Sequence, residues 1–462
     1  MTSASNSLSA NPAPPTSAAP LSVRGRAAIA AGKSAARLIR ALGRGAGTTM
    51  PGEVALRVEP TLLRQLAAQI RYGVILVAGT NGKTTTTKML AQLLEQQSYR
   101  VITNASGANL VSGLTTSLLL SANASGRLNY DFGLFEVDEA TLPHVLQAVE
   151  PRALLLLNLF RDQLDRYGEV NLVADLWAKS LSALPTETVL VINADDPTIA
   201  GLGMGVAART FTFGLGDRSL LHHEMEHTAD SIYCPACDAP LEFDGIYYSH
   251  LGVWRCPNCG LQAPTLDMDS EGVDFPLPGI YNRYNTLAAL AAARALGVGG
   301  ANPDKALRSF KPAFGRLEEV TVPGPDGKTY AARIILAKNP TGFNQSLRLL
   351  GEFPGRKVVL LALNDLTPDG TDVSWIWDID FEHLVGQASA LVISGLRAYD
   401  MAVRVKYAGW DVTRNPTYVT ENLGEAINTA ITFLAPGQEL FILPTYSAML
   451  DIRGLIRGER IL

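Results

Sequence analysis

Cysteine is scarce in this chain. Four are found among 462 residues, all of them in two Cys-x-x-Cys pairs, Cys234 with Cys237 and Cys256 with Cys259. No thiol outside the pairs remains to serve as a nucleophile. Long apolar runs are missing too. Stretches such as residues 153–157 fall far short of the roughly 20 residues that a membrane-spanning helix needs, so the chain is expected not to cross a bilayer. Charge of one sign is also lacking overall. A formal net charge of −5, a pI near 5.8 and 47% hydrophobic residues describe a soluble globular chain with no general pull toward nucleic acid, and no nucleic-acid partner is expected. Acids are absent locally, with none before Glu53, while Arg24, Arg26, Lys33, Arg37, Arg40 and Arg44 supply six cations. Such an acid-free leader reads as a tail running into a helix packed on the first domain, as a basic helix on an anionic membrane surface, or as a targeting segment. Residues up to about Pro20 have little to bury, and 1–50 is expected to be a disordered basic leader.

The chain is organised around Gly79-Thr80-Asn81-Gly82-Lys83-Thr84-Thr85. This stretch follows Val74-Ile75-Leu76-Val77, a branched apolar run suited to a buried strand, and precedes residues 88–97, whose apolar spacing is helical. Strand, glycine turn and helix make a phosphate cradle. Backbone N–H groups face anionic oxygens, the glycines permit close approach, Lys83 reaches the β/γ-phosphates, and Thr84 offers its hydroxyl to Mg²⁺. Lys83 is expected to be a surface lysine with little part in the core. Only two residues separate Gly79 from Gly82-Lys83, which makes the loop shorter than the common one.

Beyond the loop, strand-like apolar runs alternate with helical stretches, the pattern of a parallel sheet covered on both faces. Residues 132–137 read as a strand ending in Glu136-Val137-Asp138-Glu139. A carboxylate at that strand end is placed to hold Mg²⁺ opposite Thr84, with a helix cap or solvated edge as the plainer alternative. Further strands at 153–159 and 189–192 run into Arg161-Asp162-Gln163-Leu164-Asp165 and Asn193-Ala194-Asp195-Asp196-Pro197. The eighteen residues between the two cysteine pairs give the spacing of a four-thiolate zinc site. All four positions would be filled by sulfur, so the metal's role is read as structural; two disulfides are the alternative. The aromatic segment 241–254 between the pairs suits a small hairpin. Asn282 and Asn285, about one turn apart at the start of an Ala/Leu helix, face either a nucleobase or a helix cap. A second, smaller sheet is expected from strands at 333–336, 357–363, 390–394 and 440–443, with Phe314-Gly315-Arg316 at the boundary. Its most polar strand exit carries Asp365, Asp369, Asp372, Asp378 and Asp380 beside Trp375 and Trp377. That exit reads equally as a functional loop or as Asx-turns under a docked aromatic patch.

Taken together, the Gly79–Thr85 loop, the Glu136 strand, Asp162-Gln-Leu-Asp165, Asn193-Ala-Asp-Asp196-Pro and Asn282-x-x-Asn285 resemble the Mur ligase family of ATP-dependent amide-forming ligases. The resemblance spans about residues 30–455. It implies an α/β fold with a central phosphate-loop domain at 51–315, a zinc ribbon inserted at 222–270, and a C-terminal Rossmann-like domain at 316–462. Residue by residue, it implies that Gly79, Thr80, Asn81, Gly82, Lys83, Thr84 and Thr85 bind the phosphates of ATP. Thr84 and Glu136 would ligate Mg²⁺, Asn282 and Asn285 would flank the adenine, and Arg316 would face the γ-phosphate. Two departures stand out: Gln163 occupies a position where many members carry His, and an acidic ribose contact is replaced near Ile335, although Lys338-Asn339-Pro340 keeps the neighbouring pattern. Only 78 residues precede Gly79, much of them leader, so the uridine-nucleotide-binding domain that many members carry before the loop is not expected, and the substrate handle is expected to be something else.

The ribbon and the Asp372 loop resemble the branch of the family that amidates the D-glutamate α-carboxylate of the lipid II stem peptide to D-isoglutamine. In that branch a class I glutaminase-like amidotransferase supplies ammonia, and Asp372 would complete its Cys-His pair. The expected location is cytoplasmic, peripheral to the inner membrane face, with ATP, Mg²⁺ and structural Zn²⁺ as cofactors. A stand-alone amino-acid ligase and a nucleotide-gated scaffold without catalysis are the rival readings.

Overall fold

The computed structural model describes residues 21–41, 48–104, 107–162, 170–298, 300, 303–312 and 315–457. Its first sheet has six strands: β1 (Val74–Ala78), β2 (Val101–Thr103), β3 (Phe132–Glu136), β4 (Ala153–Leu156), β5 (Val189–Asn193) and β6 (Arg209–Phe213). They run parallel in the order β2-β3-β1-β4-β5-β6. Every residue of β1, β3, β4 and β5 is buried, as strands covered by helices on both faces require. Val74 and Leu76 face helices that include Leu62–Ala67, Val111–Ser121 and Val170–Leu181. Ile75 and Val77 face Lys83–Gln96 and Ile280–Leu296. The latter helix buries Ala288, Ala289, Ala291, Ala292 and Ala293, and these small side chains let it lie close against the sheet.

Inserted in the first unit between β6 and the helix Ile280–Leu296, β7 (Glu242–Tyr248) and β8 (Leu251–Arg255) form an antiparallel hairpin flanked in sequence by the two cysteine pairs. The second sheet contains β9 (Arg316–Pro323), β10 (Thr329–Ile335), β11 (Lys357–Ala362), β12 (Ala388–Ser394), β13 (Thr417–Val419) and β14 (Leu440–Pro444). Its order is β13-β12-β11-β14-β10-β9, with only β9 antiparallel to its neighbour. Two parallel-sheet units in one chain match the expected fold class. Polar contacts join them: Lys338 Nζ to Asp162 at 2.5 Å, Arg348 Nη2 to Glu226 at 2.7 Å, and Arg161 Nη1 to Asp378 at 3.1 Å.

The leader differs from the expectation of disorder across 1–50. Val23–Ala41 is a helix whose Gly25, Ala28, Ile29, Gly32, Ala36 and Ile39 are buried. It packs on Met50–Val58 so closely that a Cβ at Gly32 would lie 2.9 Å from the Pro51 carbonyl oxygen. Of the three readings of the leader, the helix packed on the first domain is the one that these residues follow, its contact stripe mixing Gly25, Ala28, Gly32 and Ala36 with Ile29 and Ile39. Residues 1–20 and Arg44 lie outside the described residues, within which no helix is long and apolar enough to cross a membrane.

Candidate functional site

The chain leaves β1 for strands on one side of the sheet, β2 and β3, before crossing to β4 on the other. This makes the carboxyl end of β1 a topological switch point, where open α/β sheets bind ligands. Gly79 to Thr85 turn there. Gly82 has φ +92°, and a Cβ on it would lie 2.1 Å from Asn285 Oδ1, so both its conformation and its surroundings demand glycine. Thr80 Oγ1 donates to the Phe160 carbonyl at 3.1 Å and accepts from the Phe160 N–H at 3.0 Å. Asn158 clamps the loop from the exit of β4. Its Oδ1 accepts from the Asn81 N–H at 2.9 Å and its Nδ2 donates to the Asn81 carbonyl at 3.1 Å. The loop is thus pre-shaped by side chains rather than left to fluctuate. Thr85 is buried at the start of the helix Lys83–Gln96.

Lys83 corrects the expectation of a surface lysine, because it is buried. Its Nζ donates to the Gly79 carbonyl at 2.6 Å and to Glu139 Oε1 at 3.0 Å. A buried ammonium requires such partners. Thr84 Oγ1 donates to Glu136 Oε2 at 2.6 Å, so the two expected Mg²⁺ ligands adjoin each other. Asn104 fixes the Glu136 backbone, accepting from its N–H at 3.0 Å and donating to its carbonyl at 2.9 Å. Two hard oxygen donors, one in the first turn of the helix Lys83–Gln96 and one at the end of β3, fit Mg²⁺.

Asn285 lines a narrow cleft between the two sheets, together with Asn81, Gly82, Tyr248, Tyr281, Arg316, Thr341 and Gln345. Asn282 stands behind it, its Oδ1 accepting from Asn285 Nδ2 at 3.3 Å and its own Nδ2 donating to the Pro278 carbonyl at 2.7 Å. Asn285 therefore faces the cleft, and Asn282 braces it. The Arg316 guanidinium has no hydrogen-bond or ion-pair partner among the described residues. Burial holds it below its ordinary value, and the field of Tyr281, Glu136 and Asp162 offsets that only in part. An unpaired cation beside a phosphate loop is suited to an anion. Burial also pushes the Tyr281 hydroxyl up to about 12. Lys338 is penalised by burial, but the charges of Asp162 and Glu139 more than compensate and hold it protonated. Gln163 and Asp165 lie outside the described residues.

Asp372 lies at an exposed turn of the second sheet unit. Its Oδ1 accepts from the Ser374 N–H at 2.8 Å and its Oδ2 from Ser374 Oγ at 2.9 Å, starting the 3₁₀ turn Ser374–Asp378. The Ser374 N–H and then its hydroxyl hold the carboxyl below its ordinary range. The other four aspartates of the exit are engaged elsewhere: Asp365 with Arg397, Asp369 with Ser447, Asp378 with Arg161, and Asp380 with His227 and Asn344. Trp375 is half-buried, its ring 6.4 Å from that of Phe343, whereas Trp377 is 52% exposed beside Tyr407.

The four cysteine Sγ atoms lie within 4.8 Å of one another. Cys234 to Cys259 is 3.6 Å and Cys237 to Cys256 is 3.5 Å, too long for disulfides and close to the roughly 3.7 Å edge of a tetrahedron with 2.3 Å Zn–S bonds. Each pair sits in a tight turn closed by a left-handed residue, Asp238 at φ +58° and Gly260 at φ +77°. The thiols fit a structural zinc.

Sequence reading missed the clamp Asn158, the Lys83 partner Glu139 and the cleft residues Thr341 and Gln345. Asn158 had a signal, a lone amide at the end of an apolar strand. Glu139 stands in the acidic strand end, but its pairing with Lys83 has no sequence signal, and Thr341 and Gln345 had none either.

Family models of known proteins match two parts of the chain: the Mur ligase middle domain over residues 77–293 and the MurT ligase C-terminal region over residues 336–449. The MurT subunit of lipid II isoglutaminyl synthase from Staphylococcus aureus is 32% identical over 91% of this chain and 95% of its own. The corresponding subunit from Streptococcus pneumoniae is 31% identical over 94% and 97%. Among solved structures, a pseudomurein peptide ligase type C from Methanothermus fervidus superposes with a TM-score of 0.63 at 20% identity, over 84% of this chain and 79% of that one. The MurF ligase from Thermotoga maritima in complex with ADP gives 0.59 at 15% identity, over 88% and 84%. These structural likenesses speak for the fold alone. With a Mur ligase middle domain and a MurT C-terminal region in one chain, and relatives alike over nearly their whole length, the chain belongs to the MurT family of Mur ligases.

Proposed function

We propose that this ligase amidates the D-glutamate α-carboxylate of the lipid II stem peptide to D-isoglutamine, using ATP and ammonia from a class I glutaminase-like amidotransferase subunit. The observation that carries the reading is that all four thiols of the chain meet in one cluster, which leaves no cysteine to release ammonia from glutamine. The ligase centre and the ammonia source then belong to different chains. We assign residues 51–315 to the ATP-binding domain, with the zinc ribbon at 222–270, and 316–462 to the C-terminal domain.

The stem carboxylate attacks the γ-phosphorus of ATP, the bond to ADP breaks, and an acyl phosphate forms. Ammonia then attacks the acyl carbon, and inorganic phosphate leaves with the C–O bond electrons. Catalysis is mainly positioning and charge neutralisation. Backbone N–H groups from Gly79 to Thr85 cradle the phosphates, Lys83 and Arg316 face the transferring group, and Asn285 borders the nucleotide. Thr84 and Glu136 would hold Mg²⁺, which when bound screens the charge of the phosphate oxygens. Zn²⁺ on the four thiolates would fix the ribbon.

The outer face of Val23–Ala41 supports work at a membrane surface. It carries Arg26 and Arg37 beside Val23 and Leu38, which are 74% and 61% exposed, and the helix contains no acid. A lipid-linked substrate would be met there. The test is reconstitution of the chain with its glutaminase, lipid II, ATP and either glutamine or ammonium. Amidation from both nitrogen sources is expected, with glutamine use requiring the second subunit. Incorporation of an amino acid instead of ammonia would sink the reading in favour of a stand-alone ligase.

A further inference from the structure

Gln345 is 4% exposed, yet neither its Nε2 nor its Oε1 has a hydrogen-bond partner among the described residues. Thr341, one turn earlier on the helix Pro340–Glu352 and 1% exposed, has an unpaired Oγ1 as well. Both line the cleft that also holds Gly82, Asn285 and Arg316. Their neighbours are treated differently. Asn344 donates to Asp380 Oδ2 at 2.6 Å and accepts from the Asp380 N–H at 2.8 Å, while Asn339 accepts from the Gly342 N–H at 2.8 Å and donates to Asn81 Oδ1 at 3.1 Å. A buried amide with both ends unpaired is costly and uncommon, so its persistence beside a cleft points to a ligand that pairs it.

The lining indicates the class of ligand. Tyr248, Tyr281, Ile335 and Leu336 supply flat and apolar surface, and the polar groups other than Arg316 are neutral. On the Glu136 side of the loop, a separate cavity of about 450 Å³ carries Lys88, Glu95, Glu136 and Lys311, a charged lining suited to a different occupant. A carboxamide offers a donor and an acceptor side by side, the complement of an adenine edge with its N6 amine and ring nitrogen.

Building on the ATP-dependent reading above, we propose that Gln345 recognises the nucleobase, its Oε1 accepting from the N6 amine and its Nε2 donating to N7. Thr341 adds a hydroxyl contact to the same nucleotide. On that edge guanine offers two acceptors, O6 and N7, and lacks the N6 amine, so Gln345 determines the preference for adenine. It is a specificity residue; the phosphate loop supplies the chemistry.

The test measures binding of ADP, IDP and GDP to the full chain by calorimetry. Wild type should bind IDP, which has an oxygen where ADP has the N6 amine, roughly ten-fold or more weakly than ADP. Gln345→Met should weaken ADP by a similar factor, bring the three affinities together, and leave the melting temperature unchanged or higher, since two unpaired polar atoms are removed. Equal binding of ADP and IDP by wild type overturns the proposal without involving any variant. So does a folded Gln345→Met protein that keeps the wild-type ADP affinity and preference. Failure of wild type to bind any of the three would overturn the nucleotide reading itself, and this assignment with it.

Discussion

Lys83 and Glu139 form a buried ion pair at the phosphate loop, Nζ to Oε1 at 3.0 Å, with their side chains 10% and 7% exposed. The pair makes Lys83 part of the fold as well as of the site. Lys83→Ala should lower ATP-dependent turnover by a hundred-fold or more, and should also destabilise the protein by roughly 3 kcal/mol by leaving Glu139 buried without its cation. Adding Glu139→Gln to that variant should restore much of the stability and none of the turnover. Urea melts and phosphate-release assays read the two effects separately. Near-normal turnover in Lys83→Ala would remove the lysine from the site.

The cysteine cluster predicts close to one zinc per chain. Cys234→Ser and Cys256→Ser should each lose the metal and loosen the hairpin Glu242–Arg255, because four thiolates provide most of the folding free energy of so small an element. Elemental analysis and protease sensitivity of residues 230–262 check this. Intact disulfides in zinc-free protein would contradict it.

Much of the architecture is legible in local pattern. β1, β3 and β11 are short Val/Ile/Leu/Phe-rich runs buried along their whole length, and such runs bounded by Gly or polar residues announce covered parallel strands. The cysteine spacing foretells the Sγ cluster for the same reason: the ligands are close in sequence. The burial of Lys83 is not legible, because Glu139 lies 56 residues away and only the pairing of β1 with β3 brings it near. Asn81 and Asn339, 258 residues apart, meet only where the two sheet units dock. For the leader, composition leaves a packed helix as one reading among three, because glycine and alanine make up most of the contact face of Val23–Ala41 beside Ile29 and Ile39. Gln345 reads as an ordinary helix residue until its neighbours are known.

Asp195 carries a pH prediction. Burial first, and then the neighbouring Asp196, pushes its carboxyl up to about 6, against hydrogen bonds from the Leu215 N–H and Tyr284 hydroxyl. A raised carboxyl pKa means that the folded state holds the proton more tightly than the unfolded one. The stability it contributes is present below the unfolded value near 3.8 and is lost as pH rises through about 6. Asp195→Asn removes the titration while keeping an acceptor for both donors. Its stability relative to wild type should rise by roughly 1–1.5 kcal/mol between pH 5 and pH 7.5, about one pH unit of linkage. Chemical denaturation of both proteins at the two pH values measures the difference. A pH-independent difference would show that Asp195 is already ionised in the fold.

The last prediction concerns Asp372. Its carboxylate, held ionised by Ser374, is bonded among the described residues only within its own turn, and the exposed rings of Trp377 and Tyr407, 52% and 74% accessible, lie on the same unit. A glutaminase partner brings Cys and His, and the imidazole needs a third group to fix its tautomer and stabilise its charged form. An ionised, exposed aspartate near rings able to anchor a partner meets that need. The competing role is local: a cap on the turn Ser374–Asp378, whose replacement costs about 1 kcal/mol and touches no chemistry. Asp372→Asn separates the two, because asparagine keeps an acceptor for the Ser374 N–H and loses the charge. If Asp372 completes the partner's triad, the variant assembles with the glutaminase, amidates from free ammonium at the wild-type rate, and loses glutamine-driven amidation by a hundred-fold or more. If glutamine-driven amidation survives within a few-fold, Asp372 is a cap and the partner completes its own triad.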